Sequence, residues 1–153
     1  MNIFVLDFNP RTAAMFHCDK HVVKMVLETA QIISTITGEG YRPTHPNHPC
    51  TKWAQESAAN FSWLRHLGVY LGNEYTRRYF KRHKSSYVIE NSRVPEALPK
   101  TGMTPFVLAM PDEYKQECPV ASYRAYYLGE KSHMLKYTNC EEPNWVVSAR
   151  RAC

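Results

Sequence analysis

The chain has 153 residues, 44% hydrophobic and 22% charged, the balance of a globular protein long enough to bury a core of its own. Its formal net charge is +5 with histidines neutral, a mildly basic balance that admits nucleic acid as a partner without demanding it. No apolar run reaches the roughly 20 residues that span a bilayer, and the start, Met1-Asn2-Ile3-Phe4-Val5-Leu6-Asp7, carries no basic leader, so a cytosolic protein without a membrane partner is expected.

In chain order, Ile3-Phe4-Val5-Leu6 is a short apolar run that reads locally as a strand or extended segment. Asn9 then offers an N-cap, Pro10 a first helical residue and Gly38 a left-handed stop, so the spacing predicts one helix over residues 10–37. On that helix His17, His21, Lys24, Glu28 and Gln31 step by four, three, four and three and share a face. His21 and Glu28 differ by about 20° and roughly 10 Å of rise. Their flanks (Val22, Val23, Met25, Val26, Leu27, Ile32) are apolar, so the stripe is either the wet face of an amphipathic helix or a partly buried site. Glu28 is the carboxylate best placed for chemistry, and Lys20 and Lys24 are amines that act as nucleophiles only when desolvated.

Residues 38–49 form a Gly, Pro and His-rich loop. A helical pattern follows from 51 to about 83, with Gly68 and Gly72 predicting a kink or break. Its end, Arg77, Arg78, Lys81, Arg82 and Lys84 beside Tyr75 and Tyr79, suits a phosphate backbone and equally a solvated helix end. Prolines punctuate residues 85–119, leaving helical turns near 104–109 and 112–116, and a last helix fits 119–137. It carries Tyr123, Arg124, Tyr126 and Tyr127, which could meet DNA or form core and rim. The tail, 138–153, is expected to be loose. The expected fold is a single all-α domain over 1–153 with about three main helices.

Five cysteines, at 18, 50, 118, 140 and 153, include no CxxC pair, and reduced thiols are expected. No metal is expected. His45, His48 and Cys50 are the lesser alternative, interrupted by Pro46 and Pro49.

Asp19-Lys20-His21, with Glu28 seven residues after the histidine, resembles the first helix of the pyrimidine-dimer DNA glycosylases of the phage endonuclease V type. Residues 61–83 are similar to that family's long middle helix, and Ser122-Tyr123-Arg124-Ala125-Tyr126-Tyr127 to its DNA-contacting aromatic segment. Cys18-Asp19-Lys20-His21-Val22-Val23-Lys24-Met25 and Thr44-His45-Pro46-Asn47-His48-Pro49-Cys50 also resemble small phage proteins placed in that superfamily.

The resemblance implies an all-α domain with the apolar N-terminal segment threaded between helices. It implies base excision through a Schiff base between the N-terminal α-amine and sugar C1′, then β-elimination at the abasic site. Glu28 would stabilise the cationic transition state, with His21 beside it and no cofactor. The partner would be double-stranded DNA with a damaged or modified base, bound by a monomer through Lys24, Arg77, Arg78, Lys81, Arg82, Lys84, Tyr123, Arg124, Tyr126 and Tyr127. Free α-amines titrate near 7.7, so such a nucleophile is partly neutral at physiological pH. Position 2 is Asn, where the family has a small residue exposed by removal of Met, so three schemes stay open: the amine belongs to Met1 or a processed Asn2, Lys20 or Lys24 replaces it, or the lyase step is absent and Glu28 activates water for hydrolysis. Two other functions fit the same residues: an accessory protein that binds DNA without catalysis, and an enzyme acting on a free nucleotide or modified base.

Overall fold

Asn9 opens the first helix, its side chain accepting from the backbone N–H groups of Arg11 and Thr12 while Pro10 supplies the first helical φ. That helix, α1 (Pro10–Phe16), is short, and α2 (Asp19–Thr37) begins only after a break at His17 and Cys18. The single helix predicted over 10–37 is therefore two. The break is stable because distant groups satisfy its backbone. Cys18 N–H donates to the Tyr127 hydroxyl at 3.2 Å, and Asp19 N–H donates to the Lys136 carbonyl at 2.8 Å. Gly38, at φ 77°, ends α2 as its position predicts.

The second predicted helix also divides, but not at its glycines. His48 caps α3 (Pro49–Ala54), and the Ser57 hydroxyl accepts from Asn60 N–H to start α4 (Ala58–Tyr79). Gly68 and Gly72 lie inside a continuous α4. A Cβ on Gly68 would stand 2.6 Å from Thr29 Cγ2, and one on Gly72 would collide with the Ser86 hydroxyl. These glycines let α4 press against α2 and α5 (Ser86–Asn91), so they mark close approach rather than a kink.

The turn predicted near 112–116 is a 3₁₀ turn, Asp112–Tyr114, whereas residues 104–109 are irregular. The last long helix, α6 (Pro119–Glu130), stops earlier than predicted and is followed by a 3₁₀ turn, Ser132–Met134. Residues 138–151 are not loose. Thr138 donates twice to Asp19, Asn139 donates to the Arg78 carbonyl, and α7 (Asn144–Arg151) buries Val146. The structure, a computed structural model, describes residues 1–152; Cys153 lies outside the described residues. Within them the protein is all-α with no strand.

The apolar start is the centre of the core. Ile3, Phe4, Val5 and Leu6 are 4% exposed or less and thread against α2 and α6 without regular structure, turning at Phe4 (φ 25°), where Leu6 N–H donates to the Phe4 carbonyl at 2.8 Å. Side chains replace the missing strand partners: Arg124 donates to the Leu6 carbonyl at 2.9 Å, Asn2 to the Ala109 carbonyl at 2.8 Å, and Trp63 to the Phe8 carbonyl at 2.9 Å. Burying each of the four side chains contributes about 2 kcal/mol, much of it offset by ordering the backbone. The result is a fixed N-terminus.

Candidate active site

Three anchors carry the threaded segment to α2. The Asn2 amide is held at both ends, Nδ2 donating to Ala109 and Oδ1 accepting from Ile3 N–H at 2.8 Å. The Cys50 thiol also donates to Asn2 Oδ1, and the Thr51 hydroxyl donates to the Met1 sulfur. Met1 is thereby fixed with its side chain 4% exposed and its α-amine 3.5 Å from Glu28 Oε1.

Glu28 sits at the edge of the exposed face of α2, its side chain 10% exposed. The amine and Lys24 Nζ, at 3.8 Å, share Oε1, while Oε2 is buried without a hydrogen-bond partner. A buried carboxylate oxygen with no partner is costly, and such cost is kept most often where a group is used. Amine and carboxylate together have the parts of a Schiff-base site. Lys24, 64% exposed, is free to reach solvent, as is Lys20.

His21 does not join them. It is 4% exposed, its Nδ1 paired with the Tyr127 hydroxyl at 2.6 Å and its ring stacked on Phe4 at 4.3 Å. Burial pushes it down to about 3, so it stays neutral. His17, the first member of the predicted stripe, caps α1, donates from Nδ1 to the Ala13 carbonyl, and is lowered to about 4 by burial.

These two rings set the acid limit of the fold. Below about 6.5 the unfolded chain takes up protons that the folded rings refuse. Stability therefore falls with pH by up to about 1.4 kcal/mol per unit for each histidine, until the folded rings titrate near 4 and 3. Urea midpoints should hold above about pH 7 and drop steeply towards about pH 5, with a shallower slope in His17→Gln. A flat profile across that window would contradict the buried neutral state.

His45, His48 and Cys50 do not converge on a metal. His45 Nδ1 pairs with the Thr44 hydroxyl, and His48 Nδ1 caps α3 by accepting from Cys50 N–H. Among the described residues no group of three or more His, Cys, Asp or Glu side chains could hold a metal ion. Instead His48 and Cys50 border the N-terminus. Partial burial and then the α-ammonium charge lower the His48 pKa, and burial pushes the Cys50 thiol up to about 12.

The predicted DNA-contacting residues separate into surface and core. Lys24, Arg77, Lys81, Arg82 and Lys84 are exposed, although Arg77 pairs with Glu74 and Arg82 with Glu90. Arg78 is buried, bound to Asp19 Oδ1 and Glu74 Oε1, each at 3.1 Å. Tyr123 and Tyr127 are also fully buried, one donating to the Val107 carbonyl and the other serving Cys18 and His21. For these three, tertiary burial corrects the expectation of a DNA surface. Arg124 braces Leu6 and Asp7, and Tyr126 lies parallel to Phe4 beneath Lys131.

Sequence reasoning did not find the anchors Asn2, Cys50 and Thr51, whose spacing carries no pattern. It also missed a cleft of about 800 Å³ lined by Arg11, Phe16, Tyr70, Arg124 and Trp145. That cleft includes neither Met1 nor Glu28. The amine lies instead beside the face of α2 that carries the exposed Lys20, Val23, Lys24 and Leu27.

The pattern of a family described as pyrimidine dimer DNA glycosylase matches residues 1–88, more than half of the 153. The match takes in Met1, His21, Lys24 and Glu28 and ends within α5, before α6 and α7. No curated protein and no solved structure matches the chain.

Proposed function

Since the chain belongs to the pyrimidine dimer DNA glycosylase family, we propose that it excises a damaged pyrimidine from double-stranded DNA with the Met1 α-amine as nucleophile and then cleaves the abasic strand. The observation that carries this reading is the amine 3.5 Å from Glu28 Oε1, beside an unpartnered Oε2.

In this scheme Oε1 takes a proton from the ammonium, freeing the nitrogen pair to attack C1′. The C1′–N bond to the base breaks with its electron pair, and the base is protonated as it leaves. Glu28 passes the proton it took from the ammonium to O4′, which opens the ring to the iminium, and the carboxylate so restored stabilises the positive charge at C1′. Loss of a C2′ proton then expels the 3′-phosphate, and hydrolysis of the imine returns the free amine. Lys24 and the exposed cations beyond α4 hold phosphates of the duplex, and the protein acts as a monomer.

The buried Met1 side chain favours a retained initiator, because its sulfur and the Asn2 amide both have partners in the fold. Borohydride added to the protein with ultraviolet-irradiated or abasic duplex should trap a covalent adduct. Mass spectrometry of the adduct should place the sugar on Met1. An adduct on Lys24 would move the nucleophile, and the absence of both adduct and base release would overturn the reading.

A further inference from the structure

Phe80 is a side chain that the proposed chemistry does not use. It is 83% exposed, against 56% or less for the other exposed large hydrophobics among the described residues. It also ends α4 in the left-handed region, at φ 57° and ψ 32°, where glycine is accommodated at least cost. A phenylalanine there bears backbone strain and wets its ring, with no burial to offset either. Strain kept at an exposed position points to use.

Its surroundings are specific. Lys81, Arg82 and Lys84 follow it, all exposed, and Arg77 precedes it by three residues. The loop is pinned: His83 accepts from Ser85 N–H at Nδ1 and donates from Nε2 to the Val23 carbonyl of α2 at 2.9 Å. Around α2, Val23, Leu27, Lys20 and Lys24 form one exposed face, and Glu28 lies about 140° from Val23 at its far edge. The loop's anchor at Val23 and the Met1–Glu28 pair thus flank a single helix face, five residues or roughly 8 Å of rise apart, about two base pairs of duplex.

We infer that Phe80 is a wedge that inserts between stacked bases of duplex DNA beside the nucleotide presented to Met1 and Glu28. The inference rests on the proposed glycosylase reading of that pair. Insertion buries the ring, while the neighbouring cations meet phosphates on either side. The step costs least where stacking is already damaged, so the wedge favours lesion sites. Phe80 would be a positioning residue, touching the base stack rather than the reacting sugar.

Phe80→Gly and Phe80→Trp in the full chain test this. Glycine relieves the left-handed backbone, so its melting temperature should equal or exceed the wild type's, separating loss of function from unfolding. The probe is a duplex with 2-aminopurine beside a tetrahydrofuran abasic analogue, whose fluorescence rises when the base is unstacked. Wild type and Phe80→Trp should raise it, and Phe80→Gly should not. With lesion-containing duplex, Phe80→Gly should lose about tenfold or more in excision rate, yet stay within about twofold on single-stranded lesion. A Phe80→Gly protein that keeps both the fluorescence rise and duplex turnover overturns the wedge and leaves the ring to another surface. A fluorescence rise lost in Phe80→Gly, with no borohydride adduct from either protein, supports the wedge and overturns the catalytic reading. A silent wild type in both assays overturns both.

Discussion

Glu28→Gln should cost about 10²–10⁴-fold in single-turnover base release while duplex binding changes little. Gln keeps the size and one acceptor of Glu28 but carries no charge. The variant can still hold the α-amine within 3.5 Å, yet it cannot take the ammonium proton or stabilise positive charge at C1′. The fold should survive, because Gln keeps an acceptor for the α-amine and Lys24, the other partner, is mostly exposed. Unfolding free energies from urea titration within about 1 kcal/mol of wild type would establish that. The adduct yield and the release rate should fall together, since both pass through attack on C1′. Unchanged release would mean that another group handles the sugar. An accessory DNA-binding protein would give no release with either residue and equal affinities.

The same carboxylate shows how far the sequence could be read. Glu28 and the end of its helix were legible because Gly38 writes its stop locally and the polar stripe has a helical period, whereas Asn9 and Pro10 mark only the start of α1. The break at His17 and Cys18 was not, since the groups that satisfy it, Tyr127 and Lys136, lie more than a hundred residues on. Gly68 and Gly72 misled for a related reason: glycine signals a kink or a close neighbour, and the neighbours here come from α2 and α5. Tyr123 and Tyr127 could have been placed. With Val120 they step by three and four, the period of a buried helix face, and Tyr126 falls off it. The approach of the amine to Glu28 had a signal only in the resemblance. It depends on Asn2, Cys50 and Thr51 meeting in space, and no local spacing encodes that.

Arg78 poses the sharper case, because its charge looked like that of its neighbours and its work is different. Arg78→Met should lower stability by about 3–5 kcal/mol, a large share of the 5–15 kcal/mol typical of a domain. The guanidinium is fully buried and divides its donors among Asp19, Glu74 and the Met15 carbonyl, with Tyr137 beneath it at 5.6 Å. Removing it leaves two carboxylates buried together, Asp19 at 8% and Glu74 at 6% exposure, with Arg77 reaching only the second. Arg78→Lys should rescue little, because a single ammonium cannot reproduce a planar fork aimed at three acceptors. Arg77→Met is the control: its half-exposed pair with Glu74 should matter by no more than about 1 kcal/mol. Urea unfolding of the three variants would measure these differences at constant salt. Equal losses at the two arginines would remove the buried network from the account of the fold. A loss confined to Arg78 would explain why Asp19 precedes His21 in the helix that carries Glu28. Asp19 starts α2, accepts from Arg78 and Thr138, and so fixes the helix on which the carboxylate meets the amine.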